Sequence, residues 1–369
     1  MLPLPVRCMA ISRLSLVSRG ISGPFTTRIA LHCWPVLLHV HPLATAMSTR
    51  ATVTESTQPS PSVAIKPPPP VPRSSASLVI VNARNEVLLV ERNPKASAFG
   101  GMHVFPGGNY DQKQDASLGI TAIRETFEES GLLLASGADS KGTAGAAHLD
   151  VSESVLDEAR FAIHQQKKLF QDFLSEQGLK ADVDSLLPFT EWVTPVGPPK
   201  RFRTQFYVTF LSPSPSAGFS SGQKQERLPT PDGGQEVIAA KFVSPSDAIA
   251  ASKAHKMNFM PPQYYILSTL ADILKGTTNT AEQRDQVKKL SQGAFGKLVI
   301  NPLGVGRTDD GRTILAYEGD ETRGGVRGRL HRGLVKFEKG TPAEISLVRN
   351  FDIFSDIDPA AFSIPLAKL

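Results

Sequence analysis

From Ala76 onward the chain alternates between short apolar runs and stretches of helical periodicity. "ASLVIVN" (Ala76 to Asn82) is a β-branched run, "ARNE" reads as a turn, and "VLLVER" (Val87 to Arg92) is a second run. Together they predict a β-hairpin. "MHVFPGG" (Met102 to Gly108) predicts a short strand halted by Pro106 and two glycines. Between Ala116 and Leu134 the apolar residues Ile120, Ile123, Phe127 and Leu134 share one helical side, with Asp115 as N-cap and Gly131 as the stop. Residues 153–178 predict one further helix. Strands are expected at "FTEWVTP" (Phe189 to Pro195), "TQFYVTFLS" (Thr204 to Ser212) and "QEVIAAKFV" (Gln235 to Val243). Helices are expected over 246–255, capped by Ser244 or Ser246, and from Pro261 to Leu274, where proline suits the first turn. The Pro-, Ser- and Gly-rich segment 213–233 reads as a surface loop. Beyond about Thr278 the runs "GKLVINPLGV", "RTILAYEGD", "GLVKFEKG" and "AEISLVRNFD" predict a small β-rich extension. No internal repeat is visible.

This pattern divides the chain into a leader and linker (1–76), a main α/β domain (77–276) and the β-rich extension (277–369). Residues 1–54 lack Asp and Glu but carry Arg7, Arg13, Arg19, Arg28 and Arg50, as a mitochondrial transit peptide would. An over-extended start before Met47 and a secretory signal ending at Ala44-Thr45-Ala46 are the competing readings. The apolar run Ile29 to Met47 is interrupted by Pro35, Pro42 and three histidines, so no transmembrane segment is expected. "KPPPPVPRSS" marks a disordered or polyproline linker. The chain ends in Ala367-Lys368-Leu369, a pattern of the peroxisomal address type, which would be read by an import receptor. A peroxisomal location is the first expectation and a mitochondrial one the alternative.

Composition narrows the chemistry. The net charge of +5 over 369 residues suits an anionic substrate, while the absence of basic runs and an aromatic content of 7% argue against nucleic acid. Both cysteines, Cys8 and Cys33, lie in the leader, which removes thiolate chemistry and Cys-ligated zinc from the body. Any metal must be held by oxygen or histidine ligands.

The stretch "RETFEES" (Arg124 to Ser130) concentrates that possibility. Glu125, Glu128 and Glu129 follow the i, i+3, i+4 rule that puts side chains on one helical face. Such a face is either solvated or filled by a hard divalent cation. Strand, Gly107-Gly108 turn and then helix favour the cation, because glycine lets a backbone approach closely. A carbonyl of Gly107 or Gly108 could add to the ligand shell.

Gly108 to Leu132 resembles the signature of the Nudix hydrolases, G-x5-E-x7-R-E-U-x-E-E-x-G-U with U apolar. "RETFEESGL" matches, with Thr126 at an apolar position. The front half departs: Gln114 occupies the glutamate position, the gap to Arg124 is two residues longer than the signature has, and Asp115 is a candidate for the displaced acid. "LLVERNPKASAFGGMHVFPGGNYD", "EWVTPVGPPKRFRTQFYVTFL" and "MPPQYYILSTL" resemble the acyl-coenzyme A diphosphatase branch, whose members occur in peroxisomes. The resemblance implies a Nudix α/β/α sandwich with a mixed sheet. It also implies Mg²⁺- or Mn²⁺-dependent cleavage of coenzyme A or acyl-coenzyme A to adenosine 3′,5′-bisphosphate and (acyl-)4′-phosphopantetheine. Glu125 and Glu129 would be the principal metal ligands, with Glu128 a third ligand or a guide for water, and Arg124 orienting the cluster. Glu236 is a candidate base or metal contact, or a solvated strand-edge glutamate. For the substrate's phosphates the candidates are Arg92, Gly107, Gly108, Arg201 and Arg203; Phe202 could face the adenine or acyl group. A Nudix hydrolase for NADH or ADP-ribose, and a non-catalytic module on the same fold, are the alternative readings.

Overall fold

A computed structural model describes residues 68–96, 98–137, 151–211 and 236–357. The leader, the 213–233 loop and the terminal tripeptide lie outside the described residues. Strand β1 (Arg73–Val81) and strand β2 (Val87–Arg92) form the expected hairpin, with Val81 opposite Val87. Its apolar run is continuous because both faces are covered. Leu78 and Ile80 join one core; Val79 and Val81 join another on the opposite face.

The sheet is mixed. Strands β3 (His103–Val104), β4 (Gly107–Asn109), β7 (Leu187–Val193), β8 (Phe202–Phe210), β9 (Val237–Val243) and β10 (Val299–Ile300) complete it. Its main path runs β10-β7-β8-β1-β2-β3, with β4 paired to β1 and β9 to β2. The β1–β8 and β10–β7 pairs are parallel. Helices α1 (Leu118–Ser130), α2 (Glu153–His164) and α3 (Phe170–Glu176) cover one face. Phe127 of α1 stacks on Phe173 of α3 at 5.7 Å and 3°. The short pair β5 (Ala135–Gly137) and β6 (Leu179–Ala181) lies beside this layer in sequence. Helices α4 (Pro245–Lys253), α5 (Pro261–Ile273) and α6 (Ala281–Gln292) contribute to the other core.

Three expectations change. Segment 153–178 is two helices rather than one, since Gln166 adopts a left-handed φ of 57° between them. Asp115 does not cap α1; Ser117 does, accepting from the Ile120 amide at 3.3 Å. Gly131 does end α1 in the left-handed conformation. The third change is α6, in a region read as strands only. Its start is a capping box in which Thr280 and Gln283 satisfy each other's backbone amides.

The extension forms a four-stranded antiparallel sheet: β11 (Leu303–Arg307), β12 (Thr313–Ala316), β13 (His331–Glu338) and β14 (Thr341–Arg349). An aromatic group joins it to the rest. Trp192 of β7 lies 5.4 Å from Tyr265 and 5.3 Å from Tyr317, ring centre to ring centre, and Tyr317 lies 5.3 Å from His331. Trp192 reaches this group by way of a bulge: Pro188 faces Tyr207 while Glu191 faces Gln205. Inside the bulge Thr190 holds φ of 72°, a strained value for a β-branched residue, and its hydroxyl accepts from the indole N–H at 3.1 Å.

His331 is fully buried at the centre of this seam. Its Nδ1–H donates to the Glu318 carbonyl at 2.7 Å, which leaves Nε2 to accept from Tyr265 Oη at 2.9 Å. The ring is therefore neutral, and burial lowers its pKa from 6.5 to about 3. Its contribution to stability is intact above pH 6.5 and declines as the pH falls toward about 3, where only the unfolded chain accepts the proton. Thermal melts from about pH 7 to about pH 5 should show a smaller loss for His331→Gln than for the parent chain. Equal slopes would remove His331 from the account.

Candidate active site

Helix α1 carries its charges inward. Arg124, Glu128 and Glu129 are buried although ionisable, so each needs a partner. The Arg124 guanidinium supplies most of them. Nε and Nη2 donate to the two oxygens of Asp115 at 2.8 and 2.9 Å. Nη1 lies 2.7 Å from Glu128 and 2.9 Å from Glu125. The displaced acid is thus Asp115, held by the Asp111 amide and the Thr121 hydroxyl as well. Thr126 is buried at its apolar position with its hydroxyl satisfied, donating to the Ala122 carbonyl one turn back at 2.7 Å.

Glu129 is held from the other side. The Gly107 amide donates to its Oε2 at 3.0 Å, and Arg92 Nη1 reaches its Oε1 at 3.2 Å. What Gly107 presents to the glutamates is its N–H. The second Arg92 nitrogen lies 3.3 Å from Glu236, whose side chain is 51% exposed. A Cβ on Gly108 would lie 2.4 Å from the Glu125 carboxyl carbon, whereas one on Gly107 would strike the Ala76 carbonyl at 2.4 Å. Gly108 thus makes room for a carboxylate and Gly107 for the neighbouring strand. Glu128 directs one oxygen to Arg124 and the other toward His164, 3.5 Å away.

These carboxylates are strained electrostatically. Burial, opposed by Arg124, pushes Glu125 up to about 7. Burial and the nearby Glu125 push Glu129 up to about 8, against Arg92 and the Gly107 amide. Among the described residues no three acidic, histidine or cysteine side chains are gathered as a ready metal cage. The donor set still suits a hard cation. Two carboxylates crowd one space beside a glycine turn, and a cation there would offset the burial and neighbouring negative charge that raise their pKa values.

The glutamates line a cavity of about 780 Å³, with Arg92, Gly107, Gly108, Phe202 and Glu236 also on its wall. Two expected residues are absent from that wall. Arg201 is buried, donating to the Thr194 and Pro70 carbonyls, and fixes the β7–β8 connection. Arg203 is engaged by Glu191 at 2.6 Å. The strand alternates, so Phe202, Thr204 and Phe206 line the cavity while Arg203 does not. Lys200 and Arg73 line it instead, as does Phe99, whose ring lies 5.7 Å from that of Phe202. Phe99 also has a left-handed φ of 56°. Arg160 was not foreseen either: it donates to the Glu128 carbonyl at 2.7 Å and secures the last turn of α1 from α2. Lys200 belongs to the basic cluster around Phe202 that the sequence displays, whereas nothing in local spacing marks Arg73, Phe99 or Arg160, which tertiary packing brings here.

Residues 112–270 match the family model described as the NUDT19 Nudix domain. Over this segment the chain is similar to Nudix hydrolase domains. The chain is 27% identical over 239 residues to an acyl-coenzyme A diphosphatase NUDT19 of Xenopus laevis, covering 50% of this chain and 59% of that protein. It is 30% identical over 163 residues to the Gallus gallus protein of the same description, covering 42% and 40%. The chain thus spans well under two thirds of these curated relatives. A solved Nudix hydrolase from Alicyclobacillus acidocaldarius aligns with TM-score 0.44 and 23% identity, over 56% of this chain and 93% of that one. Among the described residues no helix is long and apolar enough to cross a membrane.

The raised carboxylates give a pH test. Stability from protonated Glu125 and Glu129 is present below pH 4.5 and lost as the pH rises through about 7 and 8. A divalent cation should therefore raise the melting temperature more at about pH 8 than at about pH 5. Gly108→Ala should fold but lose most of that increment. A cation effect independent of both pH and Gly108 would count against a site at these carboxylates.

Proposed function

We propose that this chain hydrolyses the diphosphate of coenzyme A or acyl-coenzyme A, releasing adenosine 3′,5′-bisphosphate and 4′-phosphopantetheine or its acyl form. The observation that carries the reading is the pair Glu129, buried, and Glu125, partly buried, crowded against Gly107-Gly108 on the wall of a large cavity. The relatives' description as acyl-coenzyme A diphosphatases supports the choice of substrate. Glu125 and Glu129 would hold Mg²⁺ or Mn²⁺. Such an ion offsets phosphate charge and makes its bound water more acidic.

The chain's own groups do the rest. Arg124 keeps Glu125 and Glu128 from rotating away, and its bidentate hold on Asp115 fixes its own plane. Arg92 restrains Glu129 and Glu236. Glu236, at the exposed edge of the cavity, is placed to accept a proton from water. Lys200 and Arg73 offer positive charge for the 3′-phosphate that distinguishes coenzyme A from other ADP derivatives. Phe99 and Phe202 offer faces on which a base can lie. The Ala367-Lys368-Leu369 end would place this chemistry in the peroxisome.

A substrate panel with divalent metal and product identification by mass tests the reading. Coenzyme A and its acyl esters should be cleaved, with 3′-dephospho-coenzyme A, NADH and ADP-ribose slower by about tenfold or more. Equal cleavage of the dephospho form would overturn the assignment to coenzyme A. Glu129→Gln should lower kcat by about a hundredfold or more with the fold retained.

A further inference from the structure

The cavity extends beyond the residues that handle charge. Trp192, Pro195 and Pro198 line it, and so do Leu315 and Phe337 from the C-terminal sheet. Leu315 sits on β12, buried in the seam around Trp192 and Tyr317. Phe337 lies near the end of β13, where the register with β14 slips between Lys336 and Phe337. The residue is 42% exposed. The turn that follows is built from Lys339 and Gly340, both at left-handed φ, and Gly340 also lines the cavity. An exposed phenylalanine on a cavity wall contributes little to the fold and is available to an apolar ligand. The same cavity therefore combines buried carboxylates, cations and an apolar wall supplied by a second sheet. A ligand matching all three is long and amphipathic, with a diphosphate and an apolar tail.

We propose that the C-terminal sheet is the acyl half of the substrate site, with Leu315 and Phe337 contacting the acyl chain and Phe337 setting the length accepted. The inference rests on the reading of the site as an acyl-coenzyme A diphosphatase. It gives the extension a role in specificity. Chain length is sensed at the Phe337 ring, which stands beyond the buried core of the sheet, where its size can change without disturbing the seam around His331.

The test compares kcat/KM for coenzyme A and its acetyl, octanoyl and dodecanoyl esters in the parent chain, Phe337→Asp and Phe337→Trp. Phe161→Ala serves as a control, since Phe161 is 62% exposed on α2 and does not line the cavity. Phe337→Asp should lower the dodecanoyl-to-acetyl ratio by roughly tenfold, and Phe337→Trp should move the preference toward shorter chains. The control should leave the ratios unchanged. Ratios that stay constant in both Phe337 variants overturn the proposal. If the parent chain cleaves no coenzyme A compound, the functional reading fails separately. The wall is then judged by calorimetric binding of dodecanoyl-4′-phosphopantetheine: roughly tenfold weaker binding to Phe337→Asp supports it, and equal affinity overturns it.

Discussion

One guanidinium holds the site together. Arg124 is buried on α1 among three acids, and it meets Asp115, Glu125 and Glu128 within 2.9 Å. Without it, neighbouring carboxylates on a covered helix would be both desolvated and mutually repelled, at a cost of several kcal/mol. With it, Glu128 and Asp115 have a counter-charge. Glu125 and Glu129 keep raised pKa values through burial even with Arg124 and Arg92 beside them, and it is these two that the Gly107-Gly108 turn approaches. The helix is anchored from outside as well. Arg160 holds its last turn and stacked phenylalanines hold its apolar side, so the carboxylates are aimed by a rigid element.

A second constraint fixes the other half of the cavity. The C-terminal sheet meets the main sheet through Trp192, Tyr265, Tyr317 and His331, all packed edge-on or tilted. Edge-to-face rings resist sliding, because small displacements lose favourable quadrupole contacts. The bulge at Thr190 belongs to the same arrangement, since its hydroxyl secures the indole that both lines the cavity and anchors the seam. Local backbone strain there is offset by a fixed position for a large side chain.

The parts of this design differ in how openly the chain displays them. Strands β1 and β2, helix α1 and the glutamate face are carried by local spacing, which a linear reading can follow. Asp115 was visible as an acid but not as a partner of Arg124, because a bidentate contact nine residues apart depends on how the loop folds back. Arg201 and Arg203 were attractive as charges near an aromatic; strand alternation and nearby acceptors decided otherwise. Helix α6 is marked only by Thr280 and Gln283, a short signal inside a polar stretch in which Ala281, Val287 and Leu290 are the apolar residues. The contribution of Phe337 to the cavity had no local sign at all, since it arises from packing of one sheet against another.

The placement of Trp192 has a spectroscopic consequence. The chain contains two tryptophans, and the other, Trp34, belongs to the leader. A chain beginning after the leader therefore has one indole, seated between the aromatic seam and the cavity wall. Its emission would sense polarity and quenching on the cavity side and ring packing on the other. The protein carries its own optical probe at the junction of its main and C-terminal sheets, with no label needed.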